Sequence, residues 1–478
     1  MAKLTYTDHI VFPVLLFIAA TFSLPIAFNT IGVILLLIVF FADIRNFRSN
    51  LVNYYSDKKN LLLLAIFCCL ALSLLYSDDK NTGQKGVLAA IPLIVLPLSL
   101  TVASGITAKQ MLIIKKLFVF SCFITSLVYL ALAIKHSGLI DGSYKTQATP
   151  ENHLPYLVGK LTYNPLSPSI HAIFFSLYIS LAVFIIFFEI RKSSLISNMT
   201  YAFLIVYFLI YLFLLTSVTI NFALYSFILL YFYFQFTFKK WQHYLAFFSF
   251  LIAGTAVATY LFAAKYAGSN DVGIYRFDSA SVNNKMLICF ILVVSVALVA
   301  IVIKLFLNKK YIYILTAIFL LGLLTALIYR GGLNETSNNK KVNNISARVK
   351  YGAAALNIIK KNPFLGIGIG DKKNDHVMNE EELPEGALPA HTFNSHNQFL
   401  DLWLAAGIIP LICFIIYLIN VCRQAIKQKH IIYIALAYCF CLFCFTDAAM
   451  MVQRGQVFFL FFVCIFEFES KIKKERVD

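Results

Sequence analysis

Apolar residues run along this chain in long blocks, and short polar segments interrupt them at helix-length intervals. A membrane-crossing helix needs about 17–25 mostly apolar residues. By that measure the pattern predicts spans near 9–24, 26–42, 61–76, 87–103, 112–134, 168–189, 200–216, 221–237, 243–263, 286–306, 311–329, 398–421, 430–446 and 456–468. The first block, Ile10 to Leu24, continues through Pro25 into the second with no small-residue cleavage site, as a retained span does. The expected fold is an all-α polytopic membrane protein of about 12–14 transmembrane helices. Polar loops fall near 135–167, 264–285 and 330–397, which divides the chain into 1–329, the large loop 330–397, and a helical remainder, 398–478. A loop as long as the last is not needed to join two helices, so it is expected to have a task.

Composition strengthens the membrane reading. Of 478 residues, 60% are hydrophobic and 13% are charged, whereas an average soluble domain is about 25% charged. Too little polar sequence remains to cover soluble domains. The net charge of +17 would suit nucleic acid if it were gathered on one face, but it is dispersed in short runs between apolar blocks. Arg45, Arg48, Lys58 and Lys59 form one run; Lys109, Lys115 and Lys116, then Arg191 and Lys192, form the next. Further runs are Lys239 and Lys240, Lys304 to Lys310, Arg423 to Lys429, and the tail from Lys471. With a cytoplasmic N-terminus every inner segment is basic, so both termini are expected inside and the three large loops outside. The ten cysteines lie in or beside apolar blocks, without zinc-ligand spacing or a disulfide framework.

Charge divides the large loop. Its first part is basic, with Arg330, Lys340, Lys341, Arg348, Lys350 and Lys360 among others, and its later part carries Asp375, Glu380, Glu381, Glu382 and Glu385. Such a basic face suits an anionic, phosphate-bearing ligand, although charge alone favours a solvated loop. Ala347 to Lys360 reads as an amphipathic helix along the bilayer surface, with Ser346 as N-cap and Val349, Leu356 and Ile359 on one stripe with Gly352 and Ala353. Arg348 then lies at headgroup depth, either as a phosphate ligand or as a snorkelling anchor. Asn362 to Asp371 carries alternating glycines without the spacing of a Walker or Rossmann phosphate loop. His396 opens the following span, where the helix dipole favours the neutral imidazole of a general base; a polar cap is the competing role.

Taken in order, these motifs resemble the O-antigen ligase/polymerase superfamily. The residues that carry the resemblance are Arg348 with Tyr351, Pro363 to Gly368, and His396-Asn397 followed by Leu400 and Gly407. Asn164 to His171, and Asp447 with Gln453-Arg454-Gly455, are weaker echoes. One departure is notable: the family's Ser-Arg pair opening a mid-chain span is matched here by Thr216 to Asn221, which lacks an arginine, leaving Arg276 or Arg330 to supply that charge.

The resemblance implies a multi-pass protein of the bacterial inner membrane. It would move a glycan from a polyprenyl-diphosphate-linked donor to a hydroxyl on a glycolipid or glycan acceptor at the periplasmic face. Arg348 would bind the diphosphate and His396 would act as base, with Arg276, Arg330, Lys350, Asn397 and His171 as substrate-binding residues. No Asp-x-Asp pair occurs in the large loop, so neither metal nor cofactor is expected. Among the variants, ligation to a lipid A core is favoured over polymerisation and over transfer to a protein hydroxyl. A glycolipid flippase is the reading from another class. It would need polar residues along a mid-membrane path, and these are scarce.

Overall fold

In the computed structural model the described residues are 6–143, 161, 164–189, 195–235, 344–373 and 395–475. Their regular structure is helical throughout: α1 (Tyr6–Thr21), α2 (Ile26–Ala42), α3 (Phe47–Ser56), α4 (Lys58–Ser73), α5 (Lys80–Ala90), α6 (Pro92–Leu100), α7 (Ala108–His136), α8 (Ala172–Phe188), α9 (Leu195–Leu214), α10 (Val218–Gln235), α11 (Asn344–Lys361), α12 (Gln398–Ala406), α13 (Ile408–Lys427), α14 (Ile431–Cys444) and α15 (Gln453–Glu475). The chain is an all-α membrane protein. Lys80–Ala103, Ala108–His136 and Ile408–Lys427 are each long and apolar enough to cross a bilayer, and the pair α2 and α3, bent by 119°, adds a fourth if taken as one span. Expected spans between 243 and 329, the loop near 264–285 and much of the large loop lie outside the described residues.

The chain divides into two compact units, 1–129 with 166–227 and 350–478, and 130–165 with 228–349. Of the second, the described parts are chiefly the ends of α7, α10 and α11 and the turn after His136, where Asp141 accepts from the Ser143 amide at 3.1 Å. In the first, α4 packs along α13, α6 against α2 and α15, and α8 against α9 and α14. Helix α8 is buried from Ala172 to Ile186 and has no polar face, as befits the centre of a membrane bundle. Aromatic rings fill the space around it. Phe22 meets Phe118, Tyr178, Phe458 and Phe462, and Phe440 stacks on Phe459 at 3.6 Å. The outward faces are apolar too: Ile409, Ile412, Ile416 and Ile419 are exposed at helical spacing on α13, opposite buried Leu411, Phe414 and Leu418. Water does not tolerate so long an apolar stripe, but lipid does.

Charge is buried where α8 and α15 end. Lys115, expected in a short basic loop, lies inside α7, where it pairs with Glu189 and, at 2.7 Å, with Glu469; His430 joins Glu469 at 3.2 Å. Lys59 pairs with Glu467, which also accepts from the Tyr433 hydroxyl at 2.7 Å.

Three sequence expectations need correction. The span 398–421 is broken at Gly407, which has φ +83° and separates α12 from α13. The span 87–103 begins earlier, at Lys80, and is interrupted before Pro92, whose missing N–H suits a helix start. Helix α11 starts at Asn344, so Ser346 lies inside it. Its buried face is Tyr351, Ala354, Ala355, Ile358 and Ile359, so that Ile359 of the expected stripe faces inward, whereas Ala353 and Leu356 are exposed.

Candidate functional site

Helix α12 starts where it does because Asn397 caps it. The Asn397 side-chain oxygen accepts from the amides of Phe399 at 2.9 Å and Leu400 at 3.1 Å, which satisfies two of the orphan donors at the helix start. One turn along, buried Asp401 accepts from the Ser395 hydroxyl at 2.9 Å and from the Lys372 ammonium at 2.5 Å. Ser395 and Asn397 are thus tied down on both sides of His396. That histidine is held half-buried at φ +49°, a conformation rare outside glycine though more accessible to histidine than to most residues. Its ring lies 6.3 Å from that of Tyr351 on α11. The cap is therefore Asn397, and the imidazole is not spent on that duty.

The glycine-rich turn proves to be a packing device. Its amides are engaged within the protein: Ile367 donates to the Leu404 carbonyl at 2.9 Å, Ile369 to the Ser73 hydroxyl at 3.2 Å, and Gly370 to the Ser77 hydroxyl at 3.1 Å. A phosphate loop needs those N–H groups pointing at its ligand. The turn is further held by Trp403, whose indole N–H donates to the Pro363 carbonyl at 2.7 Å, and by Tyr76, whose hydroxyl donates to Leu365 at 2.6 Å. Gly366 and Gly407, both with positive φ, let this turn and the break after α12 touch backbone to backbone. A side chain on Gly407 would overlap the Phe364 carbonyl, and one on Gly366 the Leu404 carbonyl.

Asp371 closes the clasp. Its carboxylate, 2% exposed, accepts from the amides of Asp78 and Asp79, both at 2.8 Å. Asp79 in turn caps α5, where the Thr82 hydroxyl and amide hold its carboxyl below the usual range.

A second turn, 445–452, joins the starts of α12 and α15. Gln398 accepts from the Met450 amide at 2.6 Å, Gln456 donates to the Met450 carbonyl at 2.7 Å, and Nδ2 of Asn397 donates to the Phe445 carbonyl at 3.5 Å. Gln453 donates to Thr30 at 3.0 Å, and Arg454 to the Ser169 carbonyl at 3.3 Å. His171, exposed, is the N-cap of α8, two residues beyond Ser169.

Of the residues singled out by sequence, His396, Asn397, Tyr351 and the glycine turn therefore come together. His171 lies at the α8 start beside the carbonyl that Arg454 grips. Arg348 and Lys350 fall on α11, with side chains outside the described set, and Arg276 and Arg330 lie outside the described residues. Sequence reasoning passed over Asp371, Lys372, Gln398 and Asp401. Their signal was position alone: Asp371 ends the glycine motif, Lys372 and Gln398 adjoin motif residues, and Asp401 lies one turn from Asn397. Among the described residues no cluster of three or more metal-ligating side chains occurs.

Comparison with known proteins agrees with the motif order. Residues 284–415 match the family model described as O-antigen ligase, and this stretch includes α11, the glycine turn, His396-Asn397 and the start of α13. The superfamily resemblance read from the motifs thus holds over that segment. No curated protein matches the chain.

Proposed function

We propose that this protein is an O-antigen ligase: it moves a glycan from a polyprenyl-diphosphate carrier to a hydroxyl of the lipid A core, at the periplasmic face of the bacterial inner membrane. The observation that carries this reading is the family match over 284–415, which contains the arginine-bearing helix, the turn and the histidine in one stretch. The match supports activity of the ligase or polymerase type. The choice of acceptor, the sidedness and the residue roles are our reading.

In the reaction, the acceptor oxygen attacks the anomeric carbon of the donor sugar. The bond from that carbon to the diphosphate oxygen breaks, and the carrier leaves as polyprenyl diphosphate. His396 takes the acceptor proton, a contribution of roughly 10²–10⁴-fold in rate. Arg348, on α11 one turn before Tyr351, meets the charge growing on the departing phosphate with its planar fork of donors. Support for the base comes from the capping pattern: Asn397 does the helix-start work, while His396 beside it is held at φ +49°.

The test is His396→Ala and Arg348→Ala in a strain lacking the native protein, with surface glycan resolved by gel. Loss of glycan-capped lipid A core is expected for both. Single-repeat glycan would show a polymerase instead, and carrier-linked glycan held on the inner leaflet would show a flippase. Undiminished capping by either variant would remove that residue from its role.

A further inference from the structure

Among the described residues three lysines and arginines are buried, and only two of them are neutralised. Lys59 and Lys115 have carboxylate partners. Arg454, in the first turn of α15 and 8% exposed, has none among the described residues. Its Nη2 donates to the Ser169 carbonyl at 3.3 Å, and its Nη1 is buried without a partner. We infer that Arg454 binds a phosphate of the lipid-linked donor, at the rim where α8 and α15 begin. The inference rests on the transferase reading above and adds a ligand-binding residue to it.

The surroundings of Arg454 favour an anion. Two helices start here, α8 at Ala172 and α15 at Gln453, and helix starts carry partial positive charge. A further buried hydroxyl on α8, that of Tyr178, also lacks a partner. Tyr178 packs its ring on that of Phe458, one turn along α15 from Arg454, at 4.4 Å. Pro168, Ser169, His171 and Val452 are exposed, so the guanidinium lies one residue layer below the surface. An unpaired buried charge is costly, and a neutral side chain of similar length would fit the phenylalanine-rich packing better. Retention of the charge is explained if a ligand completes it, and the planar fork of arginine matches phosphate oxygens in pairs.

The experiment uses the full chain in detergent with farnesyl diphosphate as probe, and farnesol and inorganic pyrophosphate as controls, read by titration calorimetry. Expected is diphosphate binding by the wild type that falls about tenfold or more in Arg454→Gln and Arg454→Met, with Arg454→Lys between. The unliganded Arg454→Met protein should melt at or above the wild-type temperature, because removing an unpaired buried charge relieves the fold. Wild-type affinity in Arg454→Met would overturn the inference and leave the transferase reading standing. A wild type that binds no diphosphate would sink both. Pyrophosphate bound as tightly as the farnesyl ester would overturn the lipid assignment. An Arg454→Met protein that does not fold would show that the guanidinium serves structure alone.

Discussion

At the residue scale, the region around His396 separates holding from chemistry. Asn397 satisfies the first amides of α12, and Asp401 gathers Ser395 and Lys372, so the backbone on both sides of the imidazole is fixed by other side chains. His396→Gln should therefore leave the melting temperature close to the wild type while abolishing transfer, since the amide cannot take up a proton. Asn397→Ala should do the opposite in part. Losing the cap costs about 1 kcal/mol, while Asn397→Asp, which keeps the acceptor oxygen, should restore the stability. Melting curves read beside glycan transfer by the same preparations test this. A His396→Gln protein that transfers normally would leave the imidazole without a catalytic role, and an Asn397→Ala protein as stable as Asn397→Asp would refute the cap.

At the element scale, the glycine-rich turn is a joint between distant pieces of chain. Its contacts run to Ser73 and Ser77 after α4, to Asp78 and Asp79 before α5, and to Trp403, Leu404 and Gly407 at the end of α12. Gly407→Ala forces a positive φ on a side-chain residue, at about 1–2 kcal/mol, and drives its Cβ into the Phe364 carbonyl. We expect a clearly lowered melting temperature and reduced transfer. An unchanged Gly407→Ala protein would show that the turn does not dock as described. Asp371→Asn keeps one acceptor oxygen and should cost less than Asp371→Ala, which leaves two amides unanswered at about 1–3 kcal/mol each if they stay dry. Equal melting temperatures for the two would argue against the clasp. These contacts explain what the sequence could and could not reveal. Apolar run lengths were enough to place α2, α7 and α14, because a bilayer asks only for continuous apolar surface. The break at Gly407 was illegible, since a lone glycine inside an apolar run is compatible with an unbroken helix. What decides it is the Phe364 carbonyl, 43 residues earlier in the numbering. The buried face of α11 was legible only in part for a related reason: Ile359 faces inward as the apolar stripe predicts, but Tyr351 and Ile358 also face protein and Leu356 is exposed.

At the scale of the whole molecule, the first compact unit treats charge differently at its two ends. Where α8 and α15 finish, Lys59 is paired with Glu467, and Lys115 with Glu189 and Glu469. Where the same helices start, Arg454 is left with a carbonyl and a spare donor. Periodicity could not foretell the pairing, because Lys59 and Lys115 look like loop lysines in sequence and find their carboxylates only through the packing of α4 and α7 beside α15. Paired charge of this kind serves the fold, and a mutant cycle can show it. Lys59→Met alone strands Glu467 in the interior with only the Tyr433 hydroxyl and should cost about 3–5 kcal/mol. Glu467→Gln alone should cost less, because Lys59 keeps Asp57 at 3.5 Å. Combining the two replaces an ion pair by neutral side chains of similar volume, so the double variant should recover most of the loss from Lys59→Met. Thermal unfolding of the four proteins in one detergent measures the coupling. Melting-temperature losses that simply add would mean that Lys59 and Glu467 do not depend on each other, and the buried network would then lose its standing as the structural counterpart of Arg454.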